Sequence, residues 1–197
     1  MTSIPFDHPA CQQVLALIPE KFHARCWIAG SAATHWPEAW EAGGDLDVWV
    51  CDLRHNESEQ LRMLLHPEVM HAAVEEDIDY ANGSLLVYNQ DRTHILLTSL
   101  SIGDVVDQFD IACHAAAVQV GGGGRLYAHP LFSPHPTIIS HPINSKKSVE
   151  RVFQFAARYQ DWDALWDDPT TRETVIDAFG LVACTPQQRW MLVRNGL

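Results

Sequence analysis

Apolar and polar positions along this chain follow two rhythms, one near 3.6 residues and one of two, and each change of rhythm marks an expected element boundary. From Pro9 to Phe22 the apolar residues Val14, Leu15, Leu17 and Ile18 fall at helical spacing, with Asp7 placed to cap the start. The stretch "CWIAG" then reads as a short strand entering a Gly-Ser turn. Residues 32–41 read as a helix interrupted or bent at Pro37, where the backbone donor is missing. "GGDLDVWVCD" reads as turn plus strand, its β-branched and aromatic residues alternating with acids. Asn56 with Glu59 makes a capping-box-like start for a helix carrying Leu61, Leu64 and Leu65. The opening is helix, strand, helix, strand, helix.

Beyond the acidic loop "EEDIDYANG", the runs "SLLVYN" and "HILLTSL" are separated by "QDR" and read as a hairpin. "SIGDVVDQ" reads as a short helix leading into a strand "FDIACHAAAVQV", and Gly121 to Gly124 turn the chain back as "RLYAH". Residues 130–142 carry four prolines and read as a surface connection. Asn144 is placed to cap a helix with Val149, Val152, Phe153 and Ala156 on one face, and with Lys146, Lys147, Arg151 and Arg158 on others. Two more helices follow. One begins at Thr170 with Glu173 as a capping box and ends at Gly180; the other starts around Thr185, Pro186 and Gln188. The expected class is α/β (α+β), a mixed sheet flanked by helices, with a core over 1–142 and a small C-terminal helical cap over 143–197.

Composition narrows this picture. With 197 residues the chain can bury a substantial core in one domain. Its 25 acids against 13 Lys and Arg give a formal charge of -12, which argues against a broad nucleic-acid surface because phosphate binding relies on clustered cations. No apolar run approaches the ~20 residues that span a bilayer, and the N-terminus has no basic segment followed by an apolar one, so a cytoplasmic protein without a membrane partner is expected. Five cysteines without a CxxC pair fit small core residues better than a disulfide framework.

Candidate chemistry centres on "IAGSAATHWPEAWEAGGDLDVWV". Two aspartates one residue apart on a strand face the same way, which puts Asp45 and Asp47 on one side and Leu46 and Val48 toward the core. Such a pair repels unless a hard cation lies between, and Mg²⁺ favours one or two carboxylates plus substrate phosphates. A two-metal mechanism needs a third carboxylate from a neighbouring strand. Asp110, opening the strand in "QFDIACHAAAV", is the candidate. Gly30 and Ser31 at a helix start add backbone N–H groups and a hydroxyl suited to a triphosphate tail.

The order of Gly30-Ser31, then Asp45-Leu46-Asp47, then a lone Asp110 resembles the DNA polymerase beta-like nucleotidyltransferase superfamily, in its phage-type or minimal branch. The helix at 144–160 is similar to a helix of the phage-type members. The resemblance implies that Asp45, Asp47 and Asp110 are catalytic and bind two Mg²⁺ ions, with Asp110 helping to deprotonate the acceptor hydroxyl. It implies that Gly30 and Ser31 hold the β- and γ-phosphates of an NTP, and that pyrophosphate leaves as a nucleoside monophosphate is transferred. Lys146, Lys147 and Arg151 are candidates to reach the nucleotide, against the plainer reading of a solvated helix face. The acceptor stays open among a small molecule, a protein and tRNA, although "SAATHWPEAW" departs from the tRNA-end-building branch. A catalytically inactive binding or regulatory module of the same fold, antitoxin-like, is the alternative. Other motifs carry less: the Gly121–Gly124 run lacks the helix and Lys-Ser pair of a phosphate loop, and the spacing of the eleven histidines suits no zinc site.

Overall fold

The structure, a computed structural model, describes residues 3–69, 79–80, 84–120, 124–139, 145–159, 161, 163 and 167–179. Its strands are β1 (Cys26–Ala29), β2 (Leu46–Val50), β3 (Asp79–Tyr80), β4 (Ser84–Gln90), β5 (Thr93–Thr98), β6 (Ala116–Gln119) and β7 (Leu126–Ala128). They form one seven-stranded sheet in the order β3-β4-β5-β2-β1-β6-β7. β2 and β5 run parallel and the other pairs antiparallel, so the sheet is mixed, as the element order implies. The helices are α1 (Pro9–Leu17), α2 (Ser31–Thr34), α3 (Glu38–Glu41), α4 (His55–Val69), α5 (Ile102–Val106), α6 (Ser145–Tyr159) and α7 (Pro169–Phe179). Among the described residues no helix is long and apolar enough to cross a membrane.

The chain divides into two compact units, Met1–Gln108 with His114–Pro130, and Phe109–Cys113 with Leu131–Leu197. In the first, the period of two along β2 sends Leu46, Val48 and Val50 into a core with Ile28, Ile95, Leu97 and Val118. Cys11 and Val14 of α1, Phe22, and Leu61 and Leu65 of α4 cover that face. Leu64, expected among these contacts, is 54% exposed because one residue along a helix turns a side chain about 100° away from its neighbour. The β4–β5 connection tightens to two residues, Asp91 and Arg92, with φ of 48° and 62°. Positive φ at both central positions is the geometry that matches hairpin twist.

Three helix caps differ from expectation. His8, not Asp7, caps α1: its Nδ1 accepts from the Ala10 N–H at 3.2 Å, and Pro9 opens the helix. α4 is closed by Glu57, which accepts from the Arg54 N–H at 2.9 Å, while Glu59 instead pairs with Arg62 at 2.9 Å. α7 begins at Pro169 with Asp168 accepting from the Thr171 N–H at 2.7 Å, so its cap lies two residues before Thr170. α5 carries the reciprocal box, Ser101 with Asp104.

The strand expected from Asp110 onward is also shorter. Pairing in the sheet begins at Ala116, preceded by a 3₁₀ turn over Ala112–His114. Residues 110–112 pair with the proline-rich segment instead: Ile111 bridges Ile138, the Ala112 N–H donates to Thr137 O, and the Ile139 N–H donates to Asp110 O. That segment is thus partly structural, with Ile138 buried. The second unit packs Ile111, Cys113 and Ile138 with Val149, Val152, Phe155 and Ala156 of α6 and Val175 of α7. The expected apolar face of α6 is present, with Phe155 added and Phe153 half-buried. The acidic residues Glu75, Glu76 and Asp77, Gly121 to Gly123, Asn144, Gly180 and the helix expected from Thr185 lie outside the described residues.

Candidate functional site

β1 ends in a turn that only glycine adopts easily: Gly30 has φ 75° and ψ -146°. Its N–H donates to Ala116 O of β6 at 3.1 Å, so that donor, expected for a phosphate, is committed to the sheet. Ser31 then opens the single turn α2, whose first N–H groups have no partner within the helix. The Thr34 hydroxyl donates back to Gly30 O at 3.1 Å and holds the turn closed.

Strand register carries this turn to the acids. Ala29 stands opposite Asp47, and Gly44, the residue before Asp45, lies beside Ser31. A Cβ on Gly44 would come within 2.6 Å of Ala39 O and 3.5 Å of Ser31 Oγ. The Gly-Ser turn and the Asp45-Leu46-Asp47 segment thus meet at the ends of the interior strands β1 and β2, on the strand-end edge of the sheet. Asp45 lies just before β2, exposed, with no ion pair or hydrogen bond among the described residues. Asp47 lies within β2, its side chain 37% exposed.

The sequence reading missed the partner of Asp47. β5 lies beside β2 in parallel with His94 in register with Asp47, and His94 Nδ1 is 2.8 Å from Asp47 Oδ1. A carboxylate can only accept here, so Nδ1 carries the proton. The hydrogen bond to Asp47 raises the pKa of His94 above its ordinary 6.5, desolvation opposes this, and the charges of Asp47 and Asp45 add to the rise. A histidine in the apolar run "THILLT" was visible as an anomaly in the sequence; its place beside Asp47 required the parallel register.

At the mouth of the same edge, the Leu46 N–H donates to Arg92 O at 2.8 Å. The Arg92 guanidinium lies 4.1 Å from the Trp40 ring and donates to Trp40 O at 2.9 Å. Trp40 in turn packs with Trp36 and His8. Trp36 and Trp40 therefore serve packing, and they brace the loop that leads into β2.

Asp110 is placed otherwise than expected. It sits at a bend in the second unit, where Oδ1 accepts from Arg151 at 2.9 Å and Oδ2 accepts from the Ser148 hydroxyl. Both of its oxygens are engaged in tying this bend to α6. Arg151, expected near the nucleotide, is the partner in that ion pair. Lys146 and Lys147 stand in the first turn of α6, and their side chains fall outside the described ones.

The donor set fits one hard cation. Asp45 and Oδ2 of Asp47 have no partner among the described residues, and two carboxylates completed by phosphate oxygens are an ordinary Mg²⁺ shell. No group of three or more His, Cys, Asp or Glu side chains poised for a metal occurs among the described residues. Comparison with family models, with curated proteins and with solved structures finds no match to the chain.

Proposed function

We propose that the chain is a nucleotidyltransferase-type protein that binds a Mg²⁺-nucleoside triphosphate at the edge formed by Gly30, Ser31, Asp45 and Asp47, and passes the nucleoside monophosphate to an acceptor hydroxyl. The observation that carries the reading is the Ala29–Asp47 register, which sets a glycine-serine turn beside two carboxylates with unpaired oxygens. Asp45 and Asp47 would hold the ion, which supplies neutralisation of the triphosphate charge. The Ser31 hydroxyl, with the Ser31 and Ala32 N–H groups at the head of α2, would orient the phosphates. Asp110 has no part in this reading, since its oxygens serve Arg151 and Ser148.

That engagement of Asp110 favours a second reading, in which the same edge binds nucleotide without transferring it, as a regulatory module would. Incubation with α-labelled NTPs, Mg²⁺ and candidate acceptors separates the two. Label transfer and pyrophosphate release, abolished in Asp45→Asn with Asp47→Asn, support the enzyme. Nucleotide binding without pyrophosphate release supports the module.

A further inference from the structure

A second metal ion would need a carboxylate on a strand adjacent to Asp47 and on the same face of the sheet. β2 has two neighbours. On β1 the residue in register is Ala29, flanked on that face by Trp27; on β5 it is His94, flanked by Leu96. No carboxylate stands at any of these positions. The row across the sheet through Asp47 reads Ala117, Ala29, Asp47, His94 and Asn89. His94 is 16% exposed and already spends its Nδ1–H on Asp47 Oδ1.

We infer that this edge takes a single divalent cation, through Asp45 and Oδ2 of Asp47, and that His94 is the positioning residue that fixes the Asp47 carboxylate for it. The inference rests on the nucleotide-site reading above. Its physical content is the hydrogen bond: a carboxylate free to rotate loses part of its affinity to the cost of being ordered, and a donor held by the neighbouring strand removes that cost. With Oδ1 occupied, the open oxygen is Oδ2, and one orientation is selected. Partners of this kind typically change metal affinity by about 10- to 100-fold.

Equilibrium dialysis of the full chain against Mn²⁺ and a non-hydrolysable nucleoside triphosphate, with both counted, tests this together with the electron paramagnetic resonance spectrum of the bound ion. The expected result is one Mn²⁺ and one nucleotide per chain with the spectrum of an isolated ion. His94→Ala is expected to weaken Mn²⁺ binding about tenfold at unchanged stoichiometry. His94→Asn restores most of the loss, because its side-chain N–H can replace Nδ1–H; this variant also serves if the alanine variant does not fold. Two Mn²⁺ per nucleotide with the spectrum of a coupled pair, or equal affinity in wild type and both folded variants, overturns the inference and leaves the nucleotide site standing. Binding of neither Mn²⁺ nor nucleotide overturns both.

Discussion

Gly44 shows how a single missing side chain joins two motifs. Its α-carbon lies so close to Ala39 O that an added methyl would sit 2.6 Å from a backbone atom, and Ser31 Oγ flanks the same spot. Gly44→Ala is expected to destabilise the protein by about 1–3 kcal/mol, the usual cost of forcing extra volume into a packed site. Urea denaturation measures this, and an unchanged midpoint would contradict the close approach. The alternation that leaves Asp47 partly exposed and buries Leu46 and Val48, and the turn at Gly30, were legible in the sequence, because each depends on local chemistry or on a period of two. His94 was not, since its role comes from a parallel neighbour 47 positions away. The strand start expected at Asp110 lies instead at Ala116 for a related reason: "FDIACHAAAV" is a short apolar run, and such a run carries no signal of where sheet pairing begins.

At the scale of elements, the join between the 3₁₀ segment Glu20–Arg25 and α4 is the clearest device. Arg25 forms a two-pronged pair with Glu57, at 2.8 and 3.0 Å, and also donates to Asp52 O at 2.9 Å. Glu57 accepts the Arg54 N–H as well, so one carboxylate caps the helix and anchors it to the strand layer. The Arg25 side chain, then the Arg54 N–H, hold the Glu57 carboxyl down at about 2, below its ordinary 4.5. A depressed carboxyl contributes stability that is present above its unfolded value and is lost as pH falls through the folded one. Thermal melts of the wild type are therefore expected to lose an increment between those two values that Arg25→Ala lacks. Parallel acid profiles of the two proteins would contradict the coupling. The helices themselves were readable from apolar spacing, but their caps were not. Each true cap, His8, Glu57 or Asp168, lies close to the residue chosen from sequence, and only backbone geometry decides between such neighbours.

For the whole molecule, the mixed sheet and its flanking helices follow from the order of apolar runs, whereas the crossing of residues 109–113 into the second unit does not. That crossing arises from Ile111 pairing with Ile138, a contact between two segments that each look irregular alone. Burial within each unit also determines thiol chemistry. Cys11, Cys26, Cys51 and Cys113 are buried and free, and burial above all pushes their thiols up to about 12. Iodoacetamide near neutral pH should leave these four unmodified until denaturant is added, since the thiolate is the nucleophile. Peptide mapping by mass spectrometry checks each one separately, and rapid native alkylation at any of them would contradict the packing around it.

The central claim is that Gly30, Ser31, Asp45 and Asp47 form a metal-nucleotide site. Calorimetric titration of the protein with ATP, in Mg²⁺ and then in a chelator, against the Asp45→Asn, Asp47→Asn double variant, tests it most directly. The account predicts saturable binding to the wild type that requires Mg²⁺ and disappears in a folded double variant. Absence of binding to the wild type, or equal binding by the two proteins, would contradict it.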